Sequence, residues 1–310
     1  MTPSDSSLTA QRKALSIALS SVPRVDYAPP LYRQMFQEDV QLTKLFTHPI
    51  RGGERTLRLE GSEEDLKRVN SLCTRIGGGR HFRPEDNVAD AIGHVLMYLA
   101  HYGEALFWIM EEEGGPVPSV SHFYADYAWR LPHRYVLVAP RRRWPDLSKK
   151  YVILRKSDVW RIEIPSVLGG VRGYRRILDG LSSFPSLGPE FFQDDLQRRQ
   201  LNIEFNFTDY RRAERANLYS VTREWGWSGR DWSADYATEF YRFHRHFTFK
   251  WAKAVLREHL INEFNLLFLR LGISAEIVVD GLSSPGEILE VRKNLGAGLV
   301  DFAGASKAVQ

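Results

Sequence analysis

Neither Gly nor Pro interrupts the segment from Ser233 to Leu271. Its apolar residues recur every three or four positions, which is the spacing of one face of an α-helix. About 39 residues at 1.5 Å per residue make a helix of about 58 Å, several times the usual length. Gly272 follows as a C-terminal cap. A helix this long favours one elongated subunit over two independent compact domains.

The predicted long helix carries two separate stripes of side chains. The apolar stripe is rich in aromatic residues and includes Phe240, Phe243, Phe247 and Trp251. The opposite stripe is basic and consists of Arg242, His246, Lys250, Lys253 and Arg257. One interpretation is a helix with a buried apolar face and a solvated basic face. The other is a helix that packs through its apolar stripe and presents its basic stripe to a polyanion.

Charge is unevenly distributed along the chain. The whole sequence has a formal net charge of +4, from 42 Lys and Arg against 38 Asp and Glu. Residues 129–176 hold thirteen of the basic residues and three of the acidic ones, a net of +10 that leaves −6 for the rest. This segregation indicates a surface for a polyanion or an acidic partner, or a solvated basic face with no partner.

The basic region is also rich in predicted strands. Residues 134–139, 150–155 and 158–164 each show strand-like patterning. The loop between the first two strands carries a basic tip with one tryptophan, formed by Arg141, Arg142, Arg143, Trp144, Lys149 and Lys150. A tip of this composition suits nucleic acid, through charge and stacking, and suits an acidic protein surface equally well.

Composition and periodicity divide the chain into six regions of an α+β protein. Further strands are predicted at 56–60 and 275–279, and helices at 62–76, 88–102 and 285–295. The predicted N-caps are Ser62 for the first helix, Asp86 or Asn87 for the second, and Ser284 or Ser283 for the third. Trp225, Trp227 and Trp232 are interpreted as packing anchors. The regions are a flexible N-terminal arm with one short helix (1–30), an α/β region (31–115), the basic β-rich region (116–180), an irregular aromatic-rich connection (181–232), the long helix (233–272) and a small strand–helix region (273–310).

No catalytic constellation stands out in the sequence. The single cysteine, Cys73, excludes an intrachain disulfide and a metal centre built from cysteines. His244 and His246 are two residues apart, so a helix points them in different directions and they do not form a metal pair. We therefore expect no enzymatic activity, no cofactor and no metal site. No window approaches 18 uninterrupted apolar residues, so no transmembrane helix is expected.

Three stretches, taken in order, resemble the portal (head–tail connector) proteins of bacteriophages. The first runs from Tyr32–Met35 and Asp39 through His48-Pro-Ile50 to the strand Leu57–Leu59 and the helix Asp65–Cys73. The second is the helix Val88–Tyr102 followed by Gly103-Glu-Ala105, which is similar to the portal yG-x-A signature. The third is Asp158–Ile162 with Pro165, Gly169, Gly170 and Gly173. The resemblance covers residues 31–180, and the long helix by position only. Residues 190–232 have no counterpart in it, and any crown domain is small or missing.

A portal resemblance implies an elongated subunit with an α/β wing, a β-rich clip-like hairpin region and a long stem-like helix. It implies a homo-oligomeric ring, usually of twelve copies, at one capsid vertex of the virion, assembled in the host cytoplasm and traversed by double-stranded DNA. The implied partners are the terminase motor, the capsid and the head–tail adaptor proteins, with no membrane. In such a ring the aromatic stripe is expected to pack on neighbouring subunits and the basic stripe to face DNA. The basic hairpin tip is expected to dock a partner.

Two other hypotheses stay open on the residues alone. One is an intracellular nucleic-acid-binding enzyme of the metal-dependent nuclease class, which would need acidic metal ligands near residues 129–176. The other is an interaction module whose basic hairpin docks an acidic partner. A large closed oligomer would distinguish the portal hypothesis from both.

Overall fold

The computed structural model describes residues 14–20, 30–42, 45–46, 56–111, 117–138, 151–183, 218–227, 229 and 239–309. The helices are α1 (Leu31–Gln41), α2 (Glu63–Gly77), α3 (Pro84–Tyr102), α4 (Gly170–Ser182), α5 (Glu239–Arg270), α6 (Pro285–Gly296) and α7 (Phe302–Ala308). The strands are β1 (Leu57–Gly61), β2 (Glu104–Met110), β3 (Ser119–His122), β4 (Ala128–Arg130), β5 (Arg134–Val138), β6 (Tyr151–Arg155), β7 (Val159–Glu163) and β8 (Ala275–Val279). Helices with small antiparallel sheets are compatible with the α+β class.

The chain folds into two compact units, each assembled from three separate stretches. Unit 1 comprises Met1–Asp26, Phe46–Glu163 and His259–Asp280. Unit 2 comprises Tyr27–Leu45, Ile164–Glu258 and Gly281–Gln310. The long helix α5 therefore contributes its residues up to Glu258 to unit 2 and its residues from His259 onward to unit 1.

The described residues of unit 1 form three small antiparallel sheets, with strand orders β1-β8, β3-β2-β7 and β4-β5-β6. The strands at 57–61 and 275–279 pair with each other although they lie far apart in the sequence, with Leu57 opposite Val279. Strand β7 pairs with β2 rather than with β6, so it does not extend the sheet of the basic region. Its Trp160 and Ile162 are buried in that position.

Local sequence signals explain where α2 and α3 begin. Ser62 caps α2 as predicted, because its hydroxyl accepts a hydrogen bond from the Asp65 backbone N–H at 3.1 Å. Helix α3 begins at Pro84, before the predicted cap, since proline suits the first turn of a helix. Asn87 is instead buried, and its side-chain oxygen accepts the His81 backbone N–H at 2.9 Å. The prediction that Asp86 or Asn87 caps α3 is therefore wrong.

The core of unit 1 includes residues from the predicted N-terminal arm. Residues 14–19 are helical, as expected for the short helix there. Leu15 and Leu19 are buried against β2, β5 and β6 through Leu106, Leu137 and Leu154. This part of the arm is packed into the sheet core, because its helix is apolar on the side that meets the strands.

Unit 2 is organised around an aromatic cluster. Phe36 of α1 lies 5.6 Å from Trp225 and 5.3 Å from Trp227 between ring centroids, and Tyr174 of α4 completes the group. The Trp225 indole donates to the Leu168 carbonyl at 3.3 Å, and the Trp227 indole donates to the Asp39 carboxylate at 2.8 Å. Both tryptophans are packing anchors, as predicted, whereas Trp232 lies outside the described residues.

The long helix α5 has 32 residues and ends as the sequence predicts. Gly272 adopts a left-handed φ of 65°, and the Ile273 N–H donates to the Phe268 carbonyl at 2.9 Å, which closes a Schellman motif. The predicted first turns, from Ser233 to residue 238, lie outside the described residues. Helix α6 begins with a reciprocal capping box between Ser284 and Glu287.

Candidate functional site

The basic stripe of α5 is only partly available to solvent. His246 is exposed, Lys250 and Lys253 are half-buried, and Arg257 is only 7% exposed. Arg242 lies in the described helix, but its side chain lies outside what the structure describes. The stripe therefore does not form the continuous cationic wall that its spacing suggests.

Arg257 is a structural residue of unit 2. Its guanidinium donates to the Ser283 carbonyl at 2.7 Å and lies 3.7 Å from the Glu258 carboxylate. Burial lowers the pKa of Arg257, while the charges of Glu258 and Glu287 act in the opposite direction. Arg257 thus ties α5 to the segment that caps α6. The expectation that it faces DNA is corrected, because the chain itself covers it.

Lys250 and Lys253 retain a weaker cationic surface. Lys250 donates to the Val309 carbonyl at 2.7 Å, and the Lys253 ammonium lies 4.8 Å from the ring centroid of Phe249. Partial burial lowers the pKa of both lysines. Burial and then the charges of these lysines also lower the pKa of His246, so its imidazole is neutral at pH 7. Among the described side chains, the accessible positive charge of the stripe rests on Lys250 and Lys253.

One residue of the aromatic stripe of α5, Phe247, is fully covered within the same chain. Phe247 is 0% exposed and packs in one cluster with Ile288 of α6, Ala305 of α7 and Val309. Trp251 is half-buried against the same cluster. The side chains of Phe240 and Phe243 lie outside the described ones. Phe247 cannot contact a neighbouring subunit in this conformation, so its expected role at an oligomer interface is corrected. The reason is the predicted C-terminal helix together with α7, which was not predicted.

Helix α4 presents a basic face that was not assigned from the sequence. Tyr174, Ile177, Leu178 and Leu181 are buried on one side. Arg172, Arg175 and Arg176 are exposed on the other side. Exposed guanidiniums at steps of three and four on a helix suit contacts with phosphates. The spacing of the buried residues could have revealed this helix, but Gly169, Gly170 and Gly173 favoured a turn.

The basic hairpin tip lies outside the described residues. This holds for Arg141, Arg142, Arg143, Trp144, Lys149 and Lys150. The flanking strands β5 and β6 are described and pair directly, from Arg134 opposite Arg155 to Val138 opposite Tyr151. The strand–loop–strand arrangement predicted for this region is therefore confirmed, and docking by its tip stays a prediction.

Unit 1 has a groove of about 380 Å³ between β7 and the end of α5. Much of its polar lining is engaged with the protein itself. Arg270 donates to the Val159 carbonyl at 3.2 Å. Arg161 pairs with Glu163 and with the buried carboxylate of Glu104. The exposed Lys156 and the half-buried Glu263 also line the groove and carry opposite charges, so the lining does not favour an anion over a cation.

Three titratable side chains of unit 1, those of His94, Tyr98 and His122, lie in an aromatic stack. The His122 ring stacks on Tyr98 with centroids 3.4 Å apart, and the Tyr98 hydroxyl lies 3.2 Å from Nε2 of His94. Burial, followed by the charge of His94, lowers the pKa of His122 to about 3. Cys73 is a buried free thiol whose pKa is raised by burial.

In the part of the chain that the structure describes, no three His, Cys, Asp or Glu residues are grouped to hold a metal ion. No helix among the described residues is long and apolar enough to span a bilayer.

Comparisons with known proteins give a structural similarity but no sequence match. No protein-family model matches the sequence, and no curated protein matches it. Among solved structures, a chain from the neck of an empty GTA (gene transfer agent) particle, computed with C6 symmetry, is similar with a TM-score of 0.44 and 13% identity. The similarity covers 87% of this chain and 86% of that chain.

Proposed function

We propose that this chain is a portal-like subunit of a phage-like head–tail connector. In this proposal, copies of the chain form a closed ring at one capsid vertex of the virion, with the twelve copies that are usual for portal proteins. Double-stranded DNA passes through the ring. The subunit is structural, has no enzymatic activity of its own and requires no cofactor. The terminase motor and the head–tail adaptors are its proposed partners, docking at the hairpin tip that includes Arg141 and Trp144.

The observation that supports the proposal most is the order of elements along the chain. Helix α1, which carries Asp39, is followed by β1 and α2, as the portal resemblance requires. Helix α3 ends at Gly103 and leads directly into β2. Strand β7 leads into the segment that carries Gly169 in a left-handed conformation. The 32-residue α5 then follows at the position of a stem-like helix.

The arginines and lysines of unit 2 that solvent can reach suit a DNA conduit. Arg172, Arg175 and Arg176 of α4 are exposed, and Lys250 and Lys253 of α5 are half-buried. Lys and Arg bind phosphate oxygens without reading the base sequence, and such binding weakens as salt displaces it. A conduit needs contacts of this sequence-independent kind, since every segment of the genome passes through it.

DNA binding by the assembled protein tests the conduit. We expect the protein to bind duplexes of unrelated sequence equally, with an affinity that falls by about 10- to 1,000-fold between about 50 and 200 mM salt. Replacing Arg172 and Arg176 by Gln should reduce the slope of log affinity against log salt by up to about 0.9 for each phosphate that is no longer bound. A matched control is Arg58→Gln, because Arg58 is already paired with Asp280.

Two outcomes would contradict the proposal. One is an affinity that depends on base sequence or is insensitive to salt. The other is cleavage of DNA by the purified protein with Mg²⁺ or Mn²⁺, which would favour the nuclease class instead. Negative-stain images are expected to show rings with a central channel.

A further inference from the structure

The outer face of the sheet β4-β5-β6 in unit 1 is an ordered, exposed surface. Strand pairing sets Trp129 opposite Val136, and Val136 opposite Ile153, so these three side chains form one row. Val138 lies opposite Tyr151 in the next row, and Arg134 lies opposite Arg155 in the row on the other side. Because side chains two apart on a strand share a face, all three rows lie on the same face.

Most of this face is apolar although it is open to solvent. Trp129 is 70% exposed, Tyr151 60% and Ile153 50%. At about 150–250 Å² per aromatic side chain, Trp129 and Tyr151 alone expose about 200–300 Å². An apolar patch of this size, rimmed by charges, is within the range of the largest patch on an ordinary monomer, and such patches are often functional.

The arginine row leaves two like charges directly opposite each other. Arg134 and Arg155 are both exposed. No carboxylate of the described residues forms an ion pair with either guanidinium. Opposed like charges destabilise a sheet, and an acidic group that binds both guanidiniums in an assembled state would offset that cost.

A second surface of unit 1 shows the complementary pattern. On the ribbon β1-β8, Glu60 lies directly opposite Glu276, and both are exposed. Within the described part of the chain, neither carboxylate is paired with a cation. The neighbouring Arg58 does not neutralise them, since it pairs with Asp280.

We infer that these two surfaces bind each other between copies of this chain. Residues directly opposite on antiparallel strands have Cβ atoms about 4.5–5.5 Å apart, so the arginine pair and the glutamate pair have matching spacing. Glu60 and Glu276 of one copy pair with Arg134 and Arg155 of the next, and the row of Trp129 is covered in the same contact. The two surfaces differ, so the contact repeats head to tail and produces a ring where the rotation closes. This inference rests on the proposed function, and it names the contact that would build the ring.

Charge reversal tests the pairing directly. One variant carries Arg134→Glu with Arg155→Glu, and the other carries Glu60→Arg with Glu276→Arg. We expect each variant alone to weaken subunit association by about 100-fold or more, because like charges then meet in the contact. All four substitutions in one chain should restore the ring.

A mixture of the two variants is expected to assemble as well, since each surface then meets an opposite charge on the other variant. The control is Arg80→Glu with Arg83→Glu, which reverses two exposed arginines outside both surfaces and should leave the ring intact. Light scattering after size-exclusion chromatography gives the masses. Circular dichroism melting shows that each variant folds, as expected for substitutions at exposed sites.

The outcomes separate this inference from the proposed function. If the wild-type chain forms rings and both reversed variants also form them, the inference is overturned and the ring stands. If each reversal dissociates the ring but neither the combined chain nor the mixture reassembles, the charges matter without pairing and the inference is again overturned. A wild-type chain that stays monomeric overturns the proposed function itself.

Discussion

Replacing Phe247 by Ala distinguishes an internal anchor from a contact between subunits. The side chain is fully buried against residues of α6, α7 and the following segment. An aromatic side chain buries about 150–250 Å², which at about 25 cal/mol per Å² amounts to about 4–6 kcal/mol as an upper value. Alanine retains a methyl group and the neighbours relax in part, so we expect the free energy of unfolding to fall by about 3–5 kcal/mol.

Urea unfolding followed by tryptophan fluorescence measures this change in stability. The measurement is made in the background Arg134→Glu with Arg155→Glu, so that subunit contacts do not contribute to the unfolding free energy. The matched control is Ile153→Ser, because Ile153 is half exposed on the outer sheet face. It should change the unfolding free energy by less than about 0.5 kcal/mol. In the wild-type background, it should weaken the ring.

The opposite pattern would refute the reasoning. If Phe247→Ala unfolds at the same urea concentration as its parent, and the same substitution in the wild-type background abolishes the ring while the chain stays folded, Phe247 is an interface residue and does not pack against α6 and α7.

Interactions inside the two units support three further predictions. Glu104 is buried and pairs with Arg130 at 2.5 Å and Arg161 at 3.3 Å, so Glu104→Ala should lower the free energy of chemical unfolding by about 1–3 kcal/mol, because both charge-assisted contacts are lost while Arg161 keeps Glu163. Gly226 has a φ of 66°, and an added Cβ would lie 2.5 Å from the Thr248 Cβ, so Gly226→Ala should lower the melting temperature, with a cost of at least about 1–3 kcal/mol from the backbone alone. Burial lowers the pKa of His122 to about 3, against about 6.5 when unfolded. The unfolded chain therefore takes up a proton first as the pH falls below 6.5. Stability that is present at pH 7.5 should drop by about 2 kcal/mol at pH 5. His122→Asn should lack this dependence in urea unfolding at the two pH values.

Local elements of the fold could be predicted from the sequence, because their signals are local. Ser62 caps a helix three residues before Asp65, and Ser284 caps one directly before Pro285, as their sequence contexts indicate. Gly103 and Gly272 end helices in the left-handed conformation that glycine adopts readily. The pairing of β7 with β2 could not be predicted, since strand pairing over such a distance depends on the tertiary fold.

The candidate site was harder to predict because periodicity does not reveal what covers a helix face. The spacing of Arg257 and Phe247 places them correctly on the basic and aromatic stripes of α5. Both are nevertheless buried by the chain's own C-terminal segment. The exposed row of Trp129 and Ile153 became recognisable only from the register of β4, β5 and β6. The sequence predicts the strands that correspond to β5 and β6 but not β4, and alternation alone does not show that both faces of the sheet are apolar.

The mass of the purified chain in solution tests the central claim most directly. Light scattering during size-exclusion chromatography, at micromolar concentration, reports the number of copies without reference to any standard. The account predicts one closed species many times heavier than the 35.7 kDa of a single chain. A stable species of 35.7 kDa under these conditions would contradict it.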